Sequence, residues 1–178
     1  MNIIVNADQN WAIGNKDKLL FPLSQDLKRF KALTTGKIVV MGRKTLQSLP
    51  GGKPLPNRIN VVLSRKKAFE TKDAAVFSSP AGFVRAVRNG FFKPYTGKDF
   101  FVIGGEQIYR QFLPFCNTAY VTRVEATSPY ADSFFPNLDK NPDWQAVEVS
   151  DKIIEGDLTF RFVTYQRLKN TTKVKLFT

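Results

Sequence analysis

The chain has no histidine anywhere in its 178 residues, and its one cysteine is Cys116. Without an imidazole, histidine-based triads, zinc sites built on histidine and imidazole acid/base chemistry are excluded. A lone cysteine cannot close an internal disulfide. Set in QFLPFCNTAYV, Cys116 reads as a small buried residue in preference to a nucleophile, since no histidine can pair with it. There is no run of about 18 apolar residues, and the amino terminus, MNIIVNADQN, lacks the basic head and long apolar body of a signal peptide. A soluble, cytoplasmic protein is expected. Acid is scarce too: 15 Asp and Glu stand against 27 Lys and Arg, a net charge of +12. Such an excess suits nucleic acid, an anionic membrane or small anionic ligands. Here the cations are scattered along the chain and not gathered on one helix or tail, which favours solubility or the steering of small anions. Nucleic-acid and membrane partners are not expected, and no metal site is assigned.

What is present fits one domain, residues 1–168, followed by a tail at 169–178 of unknown role. A chain of this length buries roughly two-thirds of its unfolded surface. Apolar runs predict strands at 3–7, 37–42, 59–64, 74–79, 99–105, 119–126, 144–151 and 158–168, the last two close enough to pair antiparallel. Helices are expected over LSQDLKRFKAL, RKTLQSL, residues 80–89 and EQIYRQFL. The alternation predicts an α/β fold, a mostly parallel sheet with helices on its faces and an antiparallel carboxyl edge. The stretch at 7–18 is turn-rich and holds an exposed-looking Trp11. It reads either as a lid or as an ordinary connection with Trp11 packed at its edge.

Four local patterns carry chemistry. In LLFPLSQDLKRFKAL, Ser24 is the expected N-cap behind Pro22, and Leu23, Leu27 and Phe30 form an apolar stripe with Asp26 on its edge. Asp26 either complements the helix dipole or faces an apolar pocket, where it must hydrogen-bond something. In VVMGRKTLQSL a glycine turn opens a helix with Arg43, Lys44 and Thr45 in its first turn. Cations are disfavoured there unless an anion is shared between them; otherwise this is a solvated basic turn. In DFFVIGGEQIYRQFL a strand again ends in glycine and a helix starts at once, so backbone N–H groups can approach a phosphate, although the GxGxxG fingerprint is absent. Arg58, after the stiff PGGKPLPN loop, suits capture of a carboxylate or is simply solvated.

In order and spacing, WAIG, LLFPLSQDLKRFK, VVMGRKTLQSL, PLPNRINVVLSR, VIGGEQIYRQFLP, YVT and DSFFP resemble the dihydrofolate reductase family, over residues 3–168. The resemblance implies an eight-stranded mixed sheet with four flanking helices and a cleft holding NADPH beside dihydrofolate. It implies reduction of 7,8-dihydrofolate by hydride transfer to pterin C6 with protonation of N5, in a monomer that also binds antifolates. Asp26 then matches the carboxylate that holds the pterin, and Thr122 matches its supporting threonine. Ile4 and Ile103 match carbonyls facing the ring, with Val5, Leu19 and Tyr109 also at the substrate. Leu27, Phe30, Leu49 and Leu55 match the wall, and Arg58 matches the grip on the glutamyl carboxylate.

On the cofactor side, Gly42, Arg43, Lys44 and Thr45 match the first phosphate turn. Gly104, Gly105, Glu106 and Gln107 match the second, with a cis peptide expected between the two glycines. Asn6, Ile13, Gly14, Leu63, Ile103, Ile108 and Tyr109 complete the implied cofactor contacts, and Ser64 and Arg65 match the place where the adenosine 2'-phosphate is recognised, favouring NADPH over NADH. Three residues depart from the pattern. Phe21, at a catalytic position, replaces a tryptophan that helps hold a water; Leu20 replaces a proline; and Asn6 replaces a small apolar residue facing the nicotinamide carboxamide. Rival readings are a reductase of the same architecture acting on another heterocycle, a basic nucleic-acid module, and a catalytically silent homologue.

Overall fold

The chain begins with β1 (Asn2–Ala7), then a small hairpin of β2 (Ala12–Asn15) and β3 (Lys18–Leu19), then α1 (Ser24–Thr34). β4 (Ile38–Gly42) runs directly into α2 (Arg43–Ser48), and β5 (Ile59–Leu63), β6 (Ala74–Phe77) and α3 (Pro80–Arg88) follow. β7 (Phe100–Gly104) runs into α4 (Glu106–Phe112). β8 (Thr118–Val124), β9 (Ser133–Phe134), β10 (Trp144–Val149), β11 (Ile153–Glu155) and β12 (Leu158–Arg167) complete it. This computed structural model describes residues 1–66 and 68–168, so the tail at 169–178 lies outside the described residues.

The main sheet has the order β10-β12-β8-β1-β7-β4-β5-β6, with β11 added on β12. All neighbours from β8 to β6 are parallel, whereas β12 is antiparallel to β8, β10 and β11. The expected α/β architecture is therefore present: a mixed sheet of eight strands, extended by short β11, with four α-helices. Because side chains alternate along a strand, each central strand feeds two cores. Ile3, Val5, Ile38, Val40, Val61, Phe100 and Val102 face one core with Phe83 of α3 and Phe112 of α4. Ile4, Val39, Met41, Val62 and Phe101 face the other, where Leu46 of α2 and Phe30 and Leu33 of α1 pack. Burial on both faces explains why these strands read as unbroken apolar runs. It also brings the carboxyl ends of β1, β4, β5 and β7 to one edge, where open α/β sheets bind ligands.

Two expectations need correction. Trp11 is buried at 2% exposure. It stacks on Phe135 with ring centroids 5.9 Å apart and carries the Arg123 guanidinium 4.1 Å over its face. The 8–19 segment is also more ordered than its turn-rich composition suggests, since β2 pairs with β3 and with β9 in a separate small sheet. The second correction concerns α1. Its N-cap is Leu23 and carries no side-chain cap, so Ser24 opens the helix instead of capping it. The cap comes from 131 residues away: Glu155 accepts from the backbone N–H of Ser24 (2.6 Å) and of Gln25 (3.2 Å). A carboxylate on the opening N–H groups satisfies orphan donors and the positive end of the helix together.

Removing a fully buried indole leaves a large cavity, so Trp11→Ala should lower unfolding free energy by about 3–5 kcal/mol. Urea unfolding checks this, and a loss below about 1 kcal/mol would mean that Trp11 does not anchor the 8–19 segment.

Candidate active site

Asp26 sits one turn into α1 and is 8% exposed, although the helix around it is largely solvated. The apolar-stripe reading placed it on an edge; in the fold it is buried and Leu27 is turned out, at 53% exposure. The position is tolerated because the carboxylate is partnered. The Thr122 hydroxyl on β8 donates to Oδ1 at 2.5 Å, and the Asn6 amide on β1 donates to Oδ2 at 3.3 Å. Burial pushes the Asp26 carboxyl above the ordinary aspartate range, hydrogen bonds from Thr122 and Asn6 and the charge of Arg29 oppose the rise, and Glu155 adds to it. Arg29, three residues further along the helix, lies 4.4 Å over the Phe162 ring and 5.6 Å over the Tyr120 ring.

A cavity of about 720 Å³, bordered by the Asp26 partner Asn6, opens at the carboxyl edge of the sheet. Two strand-to-helix turns form its floor. Gly42 caps α2 and Gly105 caps α4, and the Gly104–Gly105 peptide is cis, as expected. The turns leave little room for side chains at Gly42 and Gly104. A Cβ on Gly42 would meet Ile108 Cγ1 at 3.1 Å, and one on Gly104, at φ +120°, would meet the Tyr109 ring at 3.2 Å. Cations dominate the lining, with Lys18, Arg43, Lys44, Arg65 and Lys66 against the carboxylates Asp17 and Glu106. Lys44 is bound by both Asp17 oxygens at 3.2 Å, and Glu106 accepts from the Phe134 N–H at 2.9 Å, tying α4 to β9.

The structure gathers the cofactor set around this one cavity: Asn6, Ile13, Gly14, Gly42, Arg43, Lys44, Thr45, Leu63, Ser64, Arg65 and Ile103 through Tyr109 all line it, and so do Val5 and Leu19 of the substrate set. Ile103 and Tyr109, implied for the substrate as well, line it too, whereas Ile4, Phe30, Leu49 and Leu55 pack with Ile103 in the second core as an apolar wall, and Leu27 is exposed. Arg58 lies by Phe30, its guanidinium 5.7 Å from the ring. Its Nε donates to Thr34 Oγ1 (2.8 Å) and its Nη1 to the Pro56 carbonyl (2.7 Å). Phe21 packs with Leu23, Val124 and Phe160. Tyr109 donates its hydroxyl to the Ile4 carbonyl at 2.8 Å, and burial raises its phenol pKa so that it remains a neutral donor.

Asn6, whose expected cofactor contact is a main-chain one, borders the cavity, and its side-chain amide donates to Asp26 and to the Phe21 carbonyl (3.0 Å). Sequence reasoning also missed Lys66, Ser78 and Ser79 in the lining. A usable signal was there. SSPAG is a capped helix start, Ser79 accepting from the Gly82 N–H with Pro80 at the first turn, and it follows β6, the parallel neighbour of β5. Glu155 carried no local signal, because its role depends on a strand pairing.

The sequence model described as dihydrofolate reductase matches residues 1–167. The chain is 33% identical over 174 residues to a dihydrofolate reductase of Buchnera aphidicola, covering 97% of this chain and 99% of that protein. It is 35% identical over 181 residues to a bifunctional dihydrofolate reductase-thymidylate synthase of Daucus carota; that match takes in 95% of this chain but spans only 34% of the carrot protein. Among solved structures, it is similar to a dihydrofolate reductase from Enterococcus faecalis complexed with NADP(H) and RAB-propyl, with a TM-score of 0.78, 28% identity and coverage of 93% and 95% of the two chains.

The raised Asp26 pKa has a consequence for stability. Between the unfolded and folded pKa values the native state binds the extra proton, so stability falls as pH rises through that window, and the full cost is present above it. Asp26→Asn removes the buried charge and should raise the melting temperature at pH 7, by about 2–4 °C for each kcal/mol regained. The difference should vanish when the pH is taken down to that of an ordinary aspartate. A gain that is equal at both pH values would mean that the charge is not what costs stability.

Proposed function

The chain belongs to the dihydrofolate reductase family, and from that premise we propose that it reduces 7,8-dihydrofolate to 5,6,7,8-tetrahydrofolate with NADPH, supplying one-carbon and thymidylate metabolism. The observation that carries this reading is a buried carboxylate, Asp26, held by Thr122 and by Asn6, which itself borders the cation-lined cavity. The residues present fit NADPH. Glycine turns at Gly42 and Gly104–Gly105 let the main chain come close to a pyrophosphate, and Arg43, Lys44 and Thr45 supply charge and donors beside them. Ser64, Arg65, Lys66 and Ser78 suit a further phosphate on the adenosine half. When bound, the cofactor supplies a hydride to pterin C6.

This chain's own residues account for the rest. Asp26 accepts hydrogen bonds from the pterin ring N–H and 2-amino groups, which fixes the ring's orientation and stabilises the positive charge that develops as N5 is protonated. Thr122 holds Oδ1, so the carboxylate presents the same edge at every turnover. With no histidine in the chain and the Tyr109 phenol held neutral, the proton for N5 comes from water admitted past the 8–19 segment. Phe30, Leu49 and Leu55 form the apolar wall against the ring system and keep bulk water from it. Arg58, steadied through Thr34 and Pro56, binds the glutamyl carboxylate. A monomer in the cytoplasm, with antifolates as competing ligands and no nucleic-acid partner, belongs to the same proposal. Among the described residues no helix is long and apolar enough to cross a membrane.

The decisive assay is loss of NADPH absorbance with and without dihydrofolate. Consumption that needs dihydrofolate supports the reading; none, or consumption equal without it, sinks it. Asp26→Asn should cut turnover at neutral pH by about two orders of magnitude or more, with the NADPH dissociation constant near that of the parent. Unchanged turnover would remove Asp26 from the mechanism. Arg58→Ala should raise the dihydrofolate KM by about tenfold or more, as expected for losing a charged hydrogen-bond partner. An unaltered KM would remove its carboxylate role.

A further inference from the structure

Asn6 and Thr122 are partners in the parallel pairing of β1 with β8, and from those adjacent positions they reach the two oxygens of one carboxylate, Thr122 to Oδ1 and Asn6 to Oδ2 of Asp26. The Asn6 amide also donates to the main-chain carbonyl of Phe21, at 3.0 Å. Both partners are acceptors, so the amide nitrogen, and not its oxygen, must face them. Asn6 is 6% exposed, and its strand is paired on both sides, by β7 and β8. A donor mounted there has little freedom to swing away.

We propose that Asn6 is a positioning residue for Asp26: its amide clamps Oδ2 to the backbone of the segment leading into α1, so that strand, connector and helix are held in one register at the pterin end of the cleft. This rests on the dihydrofolate reductase reading and deepens it. An ionised carboxylate has about four acceptor sites. Thr122 and Asn6 fill one on each oxygen, which leaves one on each for the two adjacent N–H donors of a flat ring. The clamp also replaces something Phe21 cannot provide. Its side chain has no N–H, so polar support at this point comes through its carbonyl and the Asn6 amide.

Other charged or titratable groups face Asp26 from the elements around it. Arg29 on α1 favours the carboxylate, Glu155 on β11 opposes it, and Tyr109 on α4 is neutral with its hydroxyl donated to Ile4. None of them hydrogen-bonds Oδ2, so none substitutes for Asn6. Taking away a donor to the charged form raises a carboxyl's titration midpoint, and placing a second carboxylate beside it raises the midpoint further.

The test is a carbon-detected NMR titration of the Asp26 carboxyl in the full-length enzyme without substrate, on Asn6→Ala and on the near-isosteric Asn6→Asp, with melting temperatures recorded alongside. Asn6→Ala should move the midpoint upward by about one pH unit, the scale of one hydrogen bond to a charged group, and Asn6→Asp by more. The dihydrofolate KM should rise by about tenfold in Asn6→Ala, while the NADPH dissociation constant stays within about twofold of the parent. If both variants keep the parent's melting temperature and midpoint, the clamp is refuted. A shift in NADPH affinity with a fixed midpoint refutes it equally and returns Asn6 to the cofactor side. A parent protein inert toward dihydrofolate would overturn the assigned reaction, and with it any role for Asn6 in that reaction, yet would leave the titration readable, so the two failures are distinguishable.

Discussion

The constraint on which the rest depends is the burial of one carboxylate in the first turn of a largely solvated helix. Removing a charge from water is costly unless hydrogen bonds replace those it loses. For Asp26 those bonds come from β1 and β8, two neighbouring strands in the middle of the sheet, so the helix can carry the acid only where the sheet presents Asn6 and Thr122 to it. Glu155, which caps the first N–H groups of α1 from β11, fixes the end of that helix from the far side. Three distant parts of the chain thereby determine where a single side chain points.

The second half of the cleft obeys different physics. There the requirement is close approach and positive charge. A Cβ at Gly42 or Gly104 would press tightly on Ile108 or Tyr109, and cations outnumber carboxylates in the lining. The excess of 27 Lys and Arg over 15 Asp and Glu extends well beyond this cavity, so the whole surface favours the approach of anions. Asn6 borders this cavity and its amide donates to Asp26, which links the buried acid to the charged lining.

Much of this was legible in the sequence because it is local. Strands buried on both faces show as unbroken runs such as IIVNA and IVVM, and strand-to-helix turns show as glycine followed at once by a helical pattern. Order and spacing of motifs carried the family resemblance, and the residues implied for the cofactor do line one cavity. Errors arose where a residue's surroundings come from elsewhere in the chain. Trp11 looked exposed because its neighbours are polar; its partners Phe135, Arg123 and Tyr165 are more than a hundred residues away. Ser24 looked like a cap because serine is a good one, but Glu155 occupies that role. The strands β2, β3 and β9 are too short to show a period, and exist only because they pair.

By itself, then, the order of residues determined the succession of eight of the strands and the four helices, the glycine turns, the excess of cations and the absence of imidazole chemistry, since each depends on backbone preferences or composition within a few residues. Only the tertiary structure decided that Asp26 is buried and not merely at a helix start, that Leu27 rather than Asp26 faces water, and that the Asn6 amide serves the acid. The reason is physical: a side chain's burial and hydrogen-bond partners are set by the segments packed across from it, and for Asn6, Asp26 and Thr122 those segments are 20 and 96 residues apart along the chain.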